Sequence, residues 1–171
     1  MEIKKTVNYY IDYTDISNKT LSEVRNCIQK QHKKTIGDIS IRELSTMNGK
    51  PRGIYIFSDP SDITNILYVG KSTSRSFIER IPAHFDPRKE AWMNALPKKV
   101  QKSDNSTYDE ALFKSLNFQV LFIGIDDFYF PKGTANHVES ILRSFLQPRY
   151  NKKPDTYVGT ERLENLVRSR F

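Results

Sequence analysis

Hydrophobic residues fall along this chain in two rhythms. In "GIYIFS" (Gly53 to Ser58) and "ILYVG" (Ile66 to Gly70) they sit in short runs of strand length, bounded by turn residues. The turn-rich "DPSDITN" between them is short, so an antiparallel hairpin is the natural pairing. "NFQVLFIGI" (Asn117 to Ile125) is nearly all apolar, which predicts a central strand covered on both faces. Elsewhere the spacing is helical. In "TANHVESILRSFL" Val138, Ile141, Leu142 and Phe145 share one face, and Pro148 follows the end. "STSRSFIERIPAHF" holds a short helix that Pro82 either restarts or distorts. "RKEAWMNALPKKV" brings Ala91, Trp92, Ala95 and Leu96 to helical spacing, which makes Trp92 a core residue. "STYDE" (Ser106 to Glu110) reads as a polar loop, and "GTERLENLVRSRF" as a terminal helix capped by Thr160.

The first fifty residues read as an extension. "TVNYYIDYT" (Thr6 to Thr14) has strand composition. Thr20 with Glu23 three residues on forms a capping box, opening a basic helix through Lys34 that Gly37 stops. "DISIRELSTM" is a second short helix or a strand. Asn48-Gly49 before Pro51 is turn chemistry and marks a boundary. The expected fold is α+β (mixed α/β): a small central, mainly antiparallel three-stranded sheet flanked by helices, with an N-terminal extension. The divisions are residues 1–50 (extension), 51–151 (main module) and 152–171 (basic C-terminal helix).

Composition narrows the classes. With 171 residues, 37% hydrophobic and 27% charged, the chain is globular rather than disordered. No apolar run reaches bilayer length and no signal-peptide core follows Met1, so no membrane is expected and the predicted location is cytoplasmic. Cys27 is alone, and His32, His84 and His137 lie far apart, which argues against a structural metal cluster. The net charge is +7. Lys71 to Lys102 holds eight Lys/Arg against three acids, Arg143 to Phe171 seven against three, and Lys19 to Thr35 five against Glu23. Such clusters suit a polyanion, and equally suit the solvated helix faces of a basic protein.

Gly70-Lys71-Ser72 has the closing letters of a phosphate-binding P-loop, but Asn65 stands where the first glycine belongs. A different constellation accounts for the glycine. Two adjacent strands carry Gly53-Ile54-Tyr55 and Tyr68-Val69-Gly70. Arg80 and His84 follow, then Glu139, then "PRYN" (Pro148 to Asn151). This order resembles the GIY-YIG nuclease family over roughly Gly53 to Asn151.

The resemblance implies a Mg²⁺-dependent (or Mn²⁺-dependent) DNA endonuclease. Tyr55 would orient or deprotonate the attacking water, and Tyr68 would support it. Arg80 would hold the scissile phosphate, with Arg75 the competing arginine. Glu139 would be the metal ligand. His84 would orient the water or donate a hydrogen bond, and Asn151 would fix the end of the Glu139 helix. Lys71, beside the hairpin, is a further catalytic candidate. Strand alternation puts Tyr55 opposite in sense to Ile54 and Ile56. A phenol of pKa about 10 is a poor base, so Lys71 and Arg80 are expected to activate Tyr55. Without appended zinc ligands or cysteine-rich modules, the chain resembles a compact stand-alone member. That means a type II restriction enzyme or a phage or mobile-element nuclease, cutting double-stranded DNA as a homodimer. The basic helix after Thr20 and the C-terminal helix are candidates for DNA contact or subunit pairing. The alternatives are a catalytically inactive nucleic-acid-binding module on the same fold, and a structure-selective nicking or repair nuclease.

Overall fold

The computed structural model describes residues 6–126, 128–151 and 157–171. In chain order the main elements are β1 (Tyr10–Asp12), α1 (Tyr13–Ile16), α2 (Leu21–Lys30), β2 (Lys34–Thr35), α3 (Ile41–Thr46), β3 (Gly53–Ser58) and β4 (Ile66–Ser72). Then come α4 (Phe77–His84), α5 (Ala95–Asp104), α6 (Tyr108–Leu116), β5 (Gln119–Gly124), α7 (Thr134–Leu146) and α8 (Leu163–Arg168). The fold is mixed α+β, with helices covering both faces of one sheet.

The expected antiparallel core is present: β3 pairs with β4 on one side and β5 on the other. Every β3 residue is buried, as a strand covered on both faces requires. The N-terminal segment is built into this sheet. β1 runs parallel to the upper half of β5, and β2 antiparallel to its lower half. The sheet therefore has five strands, and the segment ahead of Pro51 supplies two of them.

Strand alternation divides the core. Ile54, Ile56, Val69, Leu121 and Ile123 face α2, α7 and α8. Tyr55, Phe57, Tyr68, Val120 and Phe122 face the layer of α3 to α6. A register shift at Phe57/Ser58 adds a residue to β4, so Leu67 and Tyr68 both join the second layer.

Several local expectations are corrected. The Thr20/Glu23 capping box is present, but α2 ends at Lys30 because Gln31 is extended. Buried Lys33 then donates back to the carbonyls of Ile28 and Gln31, capping the helix from outside. The face of α2 bearing Leu21, Val24 and Ile28 is core, and Arg25 lies 4.2 Å over the Phe145 ring. "STYDE" opens α6 rather than a loop: Thr107 and Glu110 form a capping box. α8 starts after Arg162, with no role for Thr160 as its cap. α4 runs through Pro82 and stops one residue short of Phe85. Residues 152–156, the start of the expected C-terminal segment, lie outside the described residues.

Candidate active site

Two glycines seat the first tyrosine. Gly53 has φ +141°, and a Cβ there would lie 2.0 Å from the Ile123 carbonyl oxygen, so only glycine lets β3 enter the sheet. Gly70 pairs with Tyr55 across β3 and β4. The Tyr55 ring covers it: a Cβ on Gly70 would fall 2.3 Å from Tyr55 Cζ. The second glycine is thus not the end of a strand. β4 continues to Ser72, and the missing side chain is the space the tyrosine occupies.

Tyr55 is fully buried in an aromatic cluster with Phe57, Tyr68 and His84. Its hydroxyl lies 2.7 Å from His84 Nε2. His84 projects from the last turn of α4 and has no exposed surface. Burial, aided by the positive charges of Arg80 and Lys99, holds its pKa down to about 3, so it is neutral at neutral pH. The expectation that cations activate Tyr55 is corrected. Burial pushes its pKa upward, Tyr68 adds to that, and the charge and hydrogen bond of Arg80 only oppose it. Tyr68 is raised for the same leading reason.

An open cleft of about 570 Å³ lies beside this cluster, at the β4 edge of the sheet. Tyr55, Tyr68, Lys71, Arg80 and Glu139 all line it, from two strands and two helices. Glu139, on α7, is only 7% exposed. Desolvation raises its pKa against the pull of Arg143 and Lys71. Arg143 Nη1 lies 3.5 Å from its carboxylate, a long contact. Lys71, Arg75, Arg80 and Arg143 surround this one acid among the described lining residues.

His84 and Asn151 stand behind the cleft wall. Asn151 does not fix the end of the Glu139 helix. Its side chain clamps β4 instead: Oδ1 accepts from the Val69 N–H at 2.7 Å and Nδ2 donates to the Val69 carbonyl at 3.0 Å. Together with the backbone N–H groups of Arg149 and Tyr150, it closes the outer edge of β4. Arg80 is the arginine that reaches Tyr55. Arg75 is at the rim, its Nη1 3.1 Å from Met93 Sδ.

Arg143 and Trp92 are the lining residues of most chemical interest that the sequence reading does not place here. Arg143 was discoverable as the i+4 partner of Glu139 on one helix face. Trp92 was misassigned to the core: it is 79% exposed and borders the cleft, because α5 begins only after Asn94. Among the described residues no three His, Cys, Asp or Glu gather into a metal cage. The donor set still fits a Mg²⁺ ion, which is commonly held by one or two carboxylates with waters and substrate oxygens completing the shell. A desolvated carboxylate whose arginine contact is as long as 3.5 Å is the group such an ion would satisfy.

No helix among the described residues is long and apolar enough to cross a membrane. Comparison with protein-family models, with curated proteins and with solved structures gives no match to this chain.

Proposed function

We propose that this chain is a Mg²⁺-dependent DNA endonuclease that hydrolyses phosphodiester bonds in the β4-edge cleft. The observation that carries the reading is convergence. Tyr55, Tyr68, Lys71, Arg80 and Glu139 are scattered through the sequence, yet all line one cleft, with His84 bonded directly behind Tyr55. The GIY-YIG resemblance singles out the same residues. The cationic lining suits a phosphate, and Arg80 offers a planar donor fork for it.

In this reading Glu139 holds the metal, which when bound supplies Lewis-acid stabilisation of the leaving oxygen. Arg80 binds and orients the scissile phosphate. Lys71 and Arg143 offset the charge that builds on it. Tyr55 is a phenol in the free protein, so its oxygen aligns the attacking water. With its hydroxyl held 2.7 Å from His84 Nε2, the phenol oxygen is fixed in place to orient the water. Asn151 keeps β4 straight between Tyr68 and Gly70. One cleft cuts one strand, so cutting a duplex through both strands at one place implies a homodimer.

The test is incubation of the purified chain with supercoiled plasmid, phage duplex, gapped duplex and single-stranded DNA in Mg²⁺ or EDTA, beside Glu139→Gln, Arg80→Ala and Arg75→Ala. Mg²⁺-dependent cleavage is expected. It should be lost in Glu139→Gln and reduced on the order of 10²-fold in Arg80→Ala, with a smaller loss in Arg75→Ala. Glu139→Gln should melt no lower than wild type, because the neutral amide removes a desolvation penalty that outweighs the pull of Arg143 and Lys71. Discrete fragments indicate site-specific double-strand cutting, and nicked circles a single-strand enzyme. Binding without cleavage in any metal would favour the binding-module alternative, and cleavage that survives Glu139→Gln would refute the metal assignment.

A further inference from the structure

One exposed aromatic by itself says little, since single surface hydrophobics are common. Trp92 is distinguished by its position. It is the boundary between two cavities: the catalytic cleft on one side, and on the other a hollow of about 380 Å³ lined by Ala83, Asp86, Arg88 and Glu90. That hollow holds about a dozen times a water's ~30 Å³ share, ample for a nucleobase.

The loop carrying Trp92 is anchored from beneath. Asn94, with no exposed surface, donates through Nδ2 to the Arg88 carbonyl at 3.0 Å and to Tyr108 Oη at 2.6 Å. Tyr108 Oη in turn donates to the Asp86 carbonyl at 2.6 Å. Lys98 Nζ donates to the Ala91 carbonyl at 2.6 Å. The backbone on both sides of the indole is therefore fixed while the ring stands in solvent. Arg75 lies 6.0 Å from the ring centroid, so a cation and a flat aromatic are presented together at the cleft mouth.

We propose that Trp92 is a stacking platform for an unpaired nucleobase next to the scissile phosphate, with Arg75 holding the adjoining backbone phosphate. The substrate class that follows is DNA with an accessible base face: single-stranded, gapped or branched. An intact duplex hides its base faces in the stack, whereas a single strand presents them to aromatic side chains. The hollow behind the indole has room for the displaced base. This deepens the nuclease reading and rests on it.

Trp92 is the only tryptophan in the chain, so tryptophan emission reports on this residue alone. The full chain is titrated in EDTA, at fixed ionic strength, with three labelled DNAs. These are a duplex closed at both ends by hairpins, the same duplex with a short gap, and a plain single strand. Anisotropy of the label reads binding, and tryptophan emission reads stacking. Gapped and single-stranded DNA should quench the emission and bind more tightly than the closed duplex. Trp92→Ala should weaken their binding about 5- to 150-fold, the range for loss of one base–aromatic stack. Trp92→Phe, which retains a π-face, should recover most of it. The side chain is exposed, so both variants should melt with wild type. Binding of gapped DNA with unchanged emission, or equal binding by Trp92→Ala, overturns the inference and leaves the nuclease reading standing. Quenching as strong on the closed duplex also overturns it. Absence of binding to all three DNAs overturns the nuclease reading itself, and the inference with it.

Discussion

The packing of Tyr55 on Gly70 can be tested without any assumption about function. In Gly70→Ala the new methyl would meet Tyr55 Cζ at 2.3 Å, Cε2 at 2.4 Å and Oη at 2.5 Å. Carbon atoms in contact sit about 3.5–4.0 Å apart, so the overlap exceeds an ångström. The obstacle is not a flexible side-chain end. Tyr55 is fully buried, with the Phe57 centroid at 5.3 Å, His84 at 5.4 Å and Tyr68 at 6.3 Å. Overpacking of this kind typically costs about 1–3 kcal/mol. The reduced freedom of alanine in the unfolded chain returns about 0.4–1 kcal/mol, which narrows the loss without cancelling it. For a chain of this size each kcal/mol moves the melting temperature by about 2–4 °C, so a fall of several degrees is expected. Gly37→Ala is the control, because the nearest atom to its Cβ is the Leu116 carbonyl oxygen at 3.4 Å. A double-mutant cycle with Tyr55→Ala isolates the clash. Removing the ring makes room for the methyl, so the double variant should be more stable than the sum of the singles by about 0.5–3 kcal/mol. A Gly70→Ala protein that melts with wild type, or a cycle that is additive, would refute the packing argument.

Two further outcomes follow from the walls of the cleft. His84 is held neutral down to about 3 when folded, against an ordinary value of 6.5, so unfolding takes up a proton between those values. Its contribution is complete above pH 6.5 and declines by about 1.4 kcal/mol per pH unit below it, a slope that His84→Phe should remove. Urea titrations between about pH 5 and 6.5 check this, and equal slopes in the two proteins would contradict the neutral buried imidazole. Asn151→Ala should cost about 1–3 kcal/mol by orphaning both backbone groups of Val69, and should speed amide exchange at Val69 more than at Ile56 on β3. Unchanged protection at Val69 would mean that the clamp does not hold the strand.

What the sequence discloses depends on how local the cause is. β3, β4 and β5 are legible because their apolar runs and the short Asp59–Asn65 connector carry the information themselves. β1 is legible as a strand within Thr6 to Thr14, but its parallel place beside β5 is not, and β2, only two residues long, takes its identity from β5 far along the chain. α6 was hidden by its own cap, since Thr107 and Glu110 make a helix start look like a polar loop. Trp92 shows the converse error. Its spacing with Ala95 and Leu96 is helical, but Asn94 begins the helix after it, so the pattern runs across a boundary the backbone does not honour. In the site, the residue types were legible through the family pattern, while their electrostatics were not. The direction of the Tyr55 shift depends on how deeply the ring is buried, and no sequence spacing encodes that.

Burial sets the charge state of the whole site in one direction. It keeps Tyr55 and Tyr68 protonated, keeps His84 unprotonated and opposes ionisation of Glu139. Around Glu139 the cleft carries the positive charge of Lys71, Arg75, Arg80 and Arg143. A low-dielectric wall beside clustered cations focuses their field outward, which draws in an anion and gains most from a phosphate. The same burial makes the free site a poor base, because the phenol holds its proton. In the proposed reaction the phenol therefore acts by orienting the water, held in place by its 2.7 Å bond to His84 Nε2. Orienting a water in this way requires a wall that does not yield. Asn151 supplies that rigidity at β4, the edge strand that borders the cleft.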